Sequence, residues 1–281
     1  MMLSIFEMFE GNSLRPKKRT CRRPLVEDRC MLCYTGLMEL SGKLSEEQVK
    51  DFDVEYITPK AWEVLSREVD QFFPNNKFKV LDVGGGNGVF ADTMLEKYPS
   101  AEVVLVDNSE YLLERNQPKD GKRLVECSAE EIPTKLRGES FDLISFNWVL
   151  HHLVHPSYAR TTRRLNDILT DLKSALSPNG RISVFENMYD GLMLDNLPSH
   201  LIYHLSSSKL LAPLTQKMGA NTAGVGVCFR SRKEWFRQFR RAGFSIDSYW
   251  EEDWTYNYSI AKKLLLHLGD VRVGHIMLSP A

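Results

Sequence analysis

The sequence lacks any run of eighteen or more apolar residues, so no membrane-spanning helix and no membrane partner is expected. Cysteine is sparse: five in 281 residues, at Cys21, Cys30, Cys33, Cys127 and Cys228. A disulfide scaffold needs a dense, even set in a short secreted chain, so reduced thiols are expected instead. Cys30-Met-Leu-Cys33 has the gap of a metal or redox pair, but a second ligand pair at suitable spacing is missing, and no metal is expected. An excess of one charge sign is also absent: 36 Lys plus Arg face 37 Asp plus Glu, a formal net charge of −1. That balance argues against a general polyanion binder. The opening residues MMLSIFEMFEGN carry two acids and no basic run, so no secretory leader is expected and the protein is read as cytoplasmic.

What the chain does have is ordinary globular chemistry, with 43% hydrophobic and 26% charged residues. Residues 1–43 show no sustained periodicity and read as an irregular arm, strongly basic from Arg15 to Pro24. Residues 44–77 turn helical and read as an N-terminal lid: Ser45 suits a helix start, and Pro59 opens a helix with Trp62, Leu65, Val69 and Phe72 at helical spacing. From residue 78 onward, short β-rich runs alternate with amphipathic helices. Strands are predicted at Lys79–Val83, Glu102–Val106, Arg123–Glu126, Asp142–Phe146 and Arg181–Glu186, then as a final pair at Phe244–Trp250 and Val271–Leu278. Helices fit at Val89–Lys97, Glu110–Asn116, Tyr158–Leu176 and Arg232–Ala242. This rhythm implies one α/β domain over 78–281, with a mostly parallel sheet covered on both faces and a helical cap inserted at 188–229.

The sharpest motif is Val80-Leu-Asp-Val-Gly-Gly-Gly-Asn-Gly88, at the first strand-to-helix turn, where glycine lets backbone approach a ligand closely. Glycines at 84, 86 and 88 do not fit the dinucleotide spacing G-x-G-x-x-G, and no Gly-Lys-Ser/Thr follows as in a P-loop. With Asp82 before the loop, the pattern resembles motif I of class I S-adenosylmethionine-dependent methyltransferases. Asp107 ends the next strand, where an acid accepts hydrogen bonds from the ribose hydroxyls of an adenosine cofactor. Ser128-Ala-Glu-Glu-Ile-Pro133 resembles the family's adenine-binding turn, with Ser128 in place of the usual acid. The resemblance implies a Rossmann-like, seven-stranded fold with S-adenosylmethionine as cofactor. It places Asp82, Gly84, Gly85, Gly86, Gly88, Asp107, Asn108, Ser128, Ala129, Asn147 and Trp148 against that cofactor.

Trp148-Val-Leu-His151 further resembles the Trp-x-x-His segment of plant caffeic-acid-type O-methyltransferases, in which the histidine deprotonates the acceptor hydroxyl. Leu176–Glu186 resembles the strand whose terminal Glu positions that histidine. The resemblance implies His151 as general base and Glu186 as its orienting acid, in keeping with the near-neutral titration of histidine. The chain departs from that family in two ways: residues before Asp82 do not match its dimerisation domain, and no acid closely follows His151. N- or C-methylation therefore stays open, as does a homodimer. Substrate contacts are expected from His152 and from the cap, at Tyr189, Met193, Tyr203 and His204. Trp250, Trp254, Tyr256 and Tyr258 either close the pocket or pack the last strands. A small-molecule acceptor is favoured. The alternatives are an RNA or protein methyltransferase, using the arm with Arg230, Arg232, Lys233, Arg237, Arg240 and Arg241 as a basic face, and a cofactor-binding protein without transfer activity.

Overall fold

The computed structural model of the chain describes Gln48, residues 57–217 and residues 220–281. The basic segment 15–24, the Cys30–Cys33 pair, the helix start at Ser45 and Met218 lie outside the described residues. In chain order the elements are α1 (Pro59–Phe72), β1 (Lys79–Val83), α2 (Val89–Lys97), β2 (Glu102–Asp107), α3 (Glu110–Leu113), β3 (Lys122–Glu126), α4 (Ile132–Lys135) and β4 (Phe141–Asn147). They continue with α5 (Tyr158–Lys173), β5 (Leu176–Gly191), α6 (Leu197–Ser207), α7 (Ala212–Lys217), α8 (Arg232–Arg241), β6 (Phe244–Glu251), α9 (Ile260–Leu265) and β7 (Leu268–Pro280).

Period-two alternation builds the sheet. Leu81, Val104, Ile144 and Val184 point to one face, where Leu165, Ile168, Leu169 and Leu172 of α5 and Trp235 and Phe239 of α8 cover them. Val80, Val103, Leu105 and Leu143 point to the other, under Ala61, Leu65 and Val69 of α1 and Phe90 and Met94 of α2. Each such buried Val, Leu, Ile, Phe or Met contributes about 1.5–3 kcal/mol over its exposed state. Helix α1 starts where Thr58 accepts the Ala61 N–H and Pro59 takes the first turn. It belongs to the layer covering the sheet.

The strand order is β3-β2-β1-β4-β5-β7-β6, with β1 to β5 parallel and β7 antiparallel to both its neighbours. The chain starts in mid-sheet, steps out through β2 to β3, then returns to β4 on the other side of β1. Strand order reverses between β1 and β4, and outside the carboxyl ends of the strands at such a switch point open α/β sheets form their ligand crevice.

Some boundaries differ from the sequence expectation. Strand β5 is much longer than Arg181–Glu186, because β7 pairs with it as far as Gly191↔Leu268. This moves Met188 and Tyr189 out of the expected cap and into the sheet. Helix α5 stops at Lys173, since the Ala175 carbonyl is taken by the Phe141 N–H. Among the described residues no helix is long and apolar enough to cross a membrane.

Candidate active site

The glycine loop is built by backbone demands. Gly84, Gly86 and Gly88 have φ of 70°, 53° and 84°, a region L-residues with a side chain enter only at a cost. A Cβ at Gly84 would also lie 2.5 Å from Val149 Cγ2, and one at Gly85 2.4 Å from Asp82 Oδ2. At Gly86 the nearest atom would be Leu112 Cδ1 at 3.4 Å, so the space beside it is open. Asp107, buried at the end of β2, fixes the loop: its carboxylate accepts the Gly86 N–H at 3.0 Å and the Ser109 N–H at 2.8 Å. Asn116, which sequence reasoning did not single out, donates to the Gly86 carbonyl at 2.8 Å.

Across the crevice, β4 delivers Asn147 and Trp148. Both polar atoms of the Asn147 amide are shielded from solvent and have no partner among the described residues. Trp148 adopts φ 56°, donates its N–H to the Phe185 carbonyl at 2.9 Å and stacks on the Phe185 ring at 5.5 Å. A positive φ on a bulky residue costs about 1–3 kcal/mol and tends to mark functional sites. Ala129 is buried, Asn108 is exposed, and the Ser128 hydroxyl and N–H both donate to Glu131 at 2.9 and 2.8 Å. Those bonds hold the Glu131 carboxyl below its usual range.

A single 3-10 turn, Leu150–His152, follows β4 and sets His151 against the end of β5. His151 Nδ1 lies 2.7 Å from Glu186 Oε2, with the acid fully buried and the histidine 4% exposed. The same carboxylate accepts the His151 backbone N–H at 3.1 Å and the Asn187 N–H at 3.1 Å. An ionised carboxylate only accepts, so in this contact the donor is Nδ1–H.

Aromatic groups surround this pair. The Phe229 ring sits 4.5 Å from His151 and stacks on Tyr189 at 4.3 Å. The Tyr189 hydroxyl meets that of Tyr258 at 3.0 Å, and the Tyr256 hydroxyl donates to Asn187 at 3.3 Å. Burial pushes the Tyr256 phenol up to about 12 and Tyr189 and Tyr258 upward as well, so all three stay protonated. His152 stands 4.1 Å from His151, ring to ring, and burial first, then that neighbour, hold it well below the ordinary histidine value.

The remaining expectations scatter. Tyr203 is buried, but its hydroxyl donates to the His155 carbonyl at 2.5 Å, bracing the loop after β4. His204 is exposed, and Met193 is 89% exposed on the loop after β5. Arg230 does not belong to a basic face: it is 0% exposed, with its guanidinium 4.9 Å from the Trp235 ring. Arg237 pairs with Glu234, while Lys233, Arg240 and Arg241 line a shallow groove with Phe236. Phe229 was missed because nothing in its local spacing marks it; its neighbour Cys228 donates its N–H to the His151 carbonyl at 2.8 Å and thereby draws it to the site.

A family model described as "Methyltransferase domain" matches residues 56–249. The ubiquinone/menaquinone biosynthesis C-methyltransferase UbiE of Paracoccus denitrificans is 28% identical over 123 residues, 42% of this chain and 46% of its own length. The chain thus spans about half the length of that curated relative. Among solved structures, a sarcosine dimethylglycine methyltransferase named from Galdieria sulphuraria superposes with a TM-score of 0.52 at 14% identity, covering 84% of this chain and 91% of that one. The structure of LepI in complex with SAM superposes with a TM-score of 0.51 at 14% identity, covering 83% and 52%. At such identities the superpositions establish the shared Rossmann-like fold.

Proposed function

This chain belongs to the methyltransferase-domain family, and from that premise we propose that it transfers a methyl group from S-adenosylmethionine to a hydroxyl oxygen of a small-molecule acceptor, with His151 as general base. The observation that carries the reading is the buried His151–Glu186 pair beside the crevice. When bound, the cofactor supplies an electrophilic methyl group on a positively charged sulfur.

The residues present fit that cofactor. Gly84–Gly88 form a cradle with open space beside Gly86, Asp107 is a fixed acceptor suited to ribose hydroxyls, and the Asn147 amide has both polar atoms in need of partners. An adenosine-type ligand would hydrogen-bond to Asp107 and Asn147 and lie against the loop. LepI, of like fold, is described in complex with SAM.

Methyl transfer is an in-line displacement, so alignment of nucleophile and methyl group supplies most of the acceleration. A hydroxyl is a poor nucleophile until it loses its proton. Glu186 holds Nδ1 protonated, leaving Nε2 to take that proton. The rings of Phe229 and Tyr189 suit a flat or greasy acceptor. The likeness to a quinone-biosynthesis C-methyltransferase favours a second reading, in which the same base ionises a ring hydroxyl, a neighbouring ring carbon takes the methyl, and that carbon then loses its hydrogen as a proton, which restores the aromatic ring. The test is an acceptor screen with labelled methyl donor, followed by locating the label on oxygen or carbon. Failure of every hydroxylated acceptor alongside transfer to an amine, RNA or protein would overturn the reading.

A further inference from the structure

Large apolar side chains are exposed in several places, Leu124, Leu210 and Leu214 among them, and two of the exposed segments adjoin. Leu192, Met193 and Leu194, on the loop after β5, and Ile260, Leu264 and Leu265 of α9 are each more than half exposed. The two segments adjoin: Leu192 donates its N–H to the His267 carbonyl at 3.0 Å, and the His267 N–H reaches the Leu264 carbonyl at 3.3 Å. In α9 the usual pattern is inverted, with no residue buried, the leucines outward and Lys262 and Lys263 only half-exposed. A contiguous exposed patch of this kind marks an interaction surface.

Charge identifies the partner. The chain has 37 acids in 281 residues, yet residues 254–269 contain none and carry Lys262 and Lys263. Two acids bracket the exposed loop and are turned to the start of α8: Asp190 accepts the Arg232 N–H at 2.9 Å, and Asp195 accepts the Ser231 hydroxyl at 2.5 Å. In α9, Lys262 and Lys263 stand between exposed Ile260 and Leu264 with no acid in the helix, which matches the apolar interior and negative headgroups of an anionic bilayer.

The face also leads to the site. Lys262 Nζ lies 5.3 Å from the centre of the Tyr258 ring, and the Tyr258 hydroxyl meets Tyr189, which stacks on Phe229 beside His151. Against the sequence expectation of no membrane partner, we propose that residues 192–194 and α9 dock on the surface of an anionic lipid bilayer, from which a lipophilic acceptor reaches His151. The docking half stands by itself; the entry of the acceptor rests on the function proposed above.

The test is co-sedimentation of the full chain with vesicles of phosphatidylcholine alone and of phosphatidylcholine with phosphatidylserine, at low and high salt. The protein is expected on the mixed vesicles and to be weakened by salt. The triple variant Met193→Ser, Leu264→Ser, Leu265→Ser is expected to lower partitioning by about tenfold or more, given the apolar area it removes. Its calorimetric affinity for S-adenosylmethionine is expected to be unchanged, which shows that the fold survives. Absence of wild-type binding overturns the proposal. So does binding that persists in the triple variant, which would assign it to the basic segment 15–24. Wild-type self-association lost in the variant, without vesicle binding, would make the face an interface between copies. Sedimentation needs no turnover, so a failed acceptor screen leaves this result readable.

Discussion

Glu186 Oε2 and His151 Nδ1 are 2.7 Å apart, and the other oxygen of that carboxylate takes the backbone N–H of the same histidine at 3.1 Å. One acid thus holds both the ring and the main chain of His151. His151→Ala is expected to lower turnover by about 10²–10⁴-fold, the range of a general base, while cofactor affinity stays unchanged. Unchanged turnover with the true acceptor would remove His151 as base. Glu186→Ala leaves three buried N–H groups without their acceptor and is expected to cost about 1–3 kcal/mol for each left unsatisfied. Glu186→Gln keeps an acceptor, so its thermal midpoint should fall less than that of Glu186→Ala, with turnover still reduced.

Asp107 serves the loop and the ligand together. Asp107→Ala is expected to weaken S-adenosylmethionine binding by about a hundredfold or more, since hydrogen bonds to a charged group are worth about 1.5–3 kcal/mol each. Calorimetry that finds near-normal affinity would sink the ribose assignment. The Gly86 and Ser109 N–H groups also lose their acceptor in this variant, so Asp107→Asn is the control that retains one.

Two glycines of the loop should separate folding from binding. Gly84→Ala drives a Cβ to within 2.5 Å of Val149 at φ 70° and is expected to cost stability first. Gly86→Ala meets only Leu112 Cδ1 at 3.4 Å, so its thermal midpoint should fall only by the cost of the left-handed backbone, about 1–2 kcal/mol. Its methyl group occupies the open side of the cradle, so cofactor affinity should fall more steeply than stability. A Gly86→Ala protein with normal affinity would show that the cofactor lies elsewhere.

The cradle was legible because glycine spacing, a following helix and an acid one strand later are all short-range signals with one geometric meaning. The pair His151–Glu186 was legible only through a resemblance, since the residues are 35 apart and meet because β4 and β5 are neighbours in the sheet. The cap was not legible. Met193 and Tyr189 look alike as apolar positions, but the extension of β5 along β7 buries Tyr189 and leaves Met193 in solvent. Tyr256 and Tyr258 enter the site through contacts with Asn187 and Tyr189 nearly seventy residues earlier, which no local pattern encodes.

Acid should expose a second buried histidine. His275 is 0% exposed, stacks on Phe185 at 4.4 Å and lies 2.9 Å from the Ser183 hydroxyl; burial pushes it down to about 3. Glu68 stands 3.5 Å away, its own carboxyl raised chiefly by burial. The folded value is below the unfolded value of about 6.5, so the unfolded chain binds the proton more readily. Its contribution is therefore present above pH ~6.5 and lost as pH falls toward ~3, at up to about 1.4 kcal/mol per pH unit. Urea unfolding from pH 7 to 5 should show wild type losing stability faster than His275→Gln. Parallel curves would mean that His275 is protonated in the fold.

Arg230 gives the most counterintuitive expectation. Its guanidinium is fully buried, lies over Trp235, and donates to the Cys228 carbonyl at 3.3 Å and, marginally, to the Thr162 hydroxyl at 3.5 Å, while Nε has no partner among the described residues. No carboxylate lies within ion-pair distance of it among those residues, so desolvation of the charge is poorly offset. Arg230→Met fills much of the same volume without a charge and should leave the thermal midpoint unchanged or raise it. Arg230→Ala should lower stability by about 2–5 kcal/mol through the cavity it leaves. Equal destabilisation by both variants would show that the guanidinium's two hydrogen bonds outweigh its burial. In that case Arg230 would hold the 228–230 segment in place, and turnover should fall with stability, because Cys228 and Phe229 are the residues that press against His151.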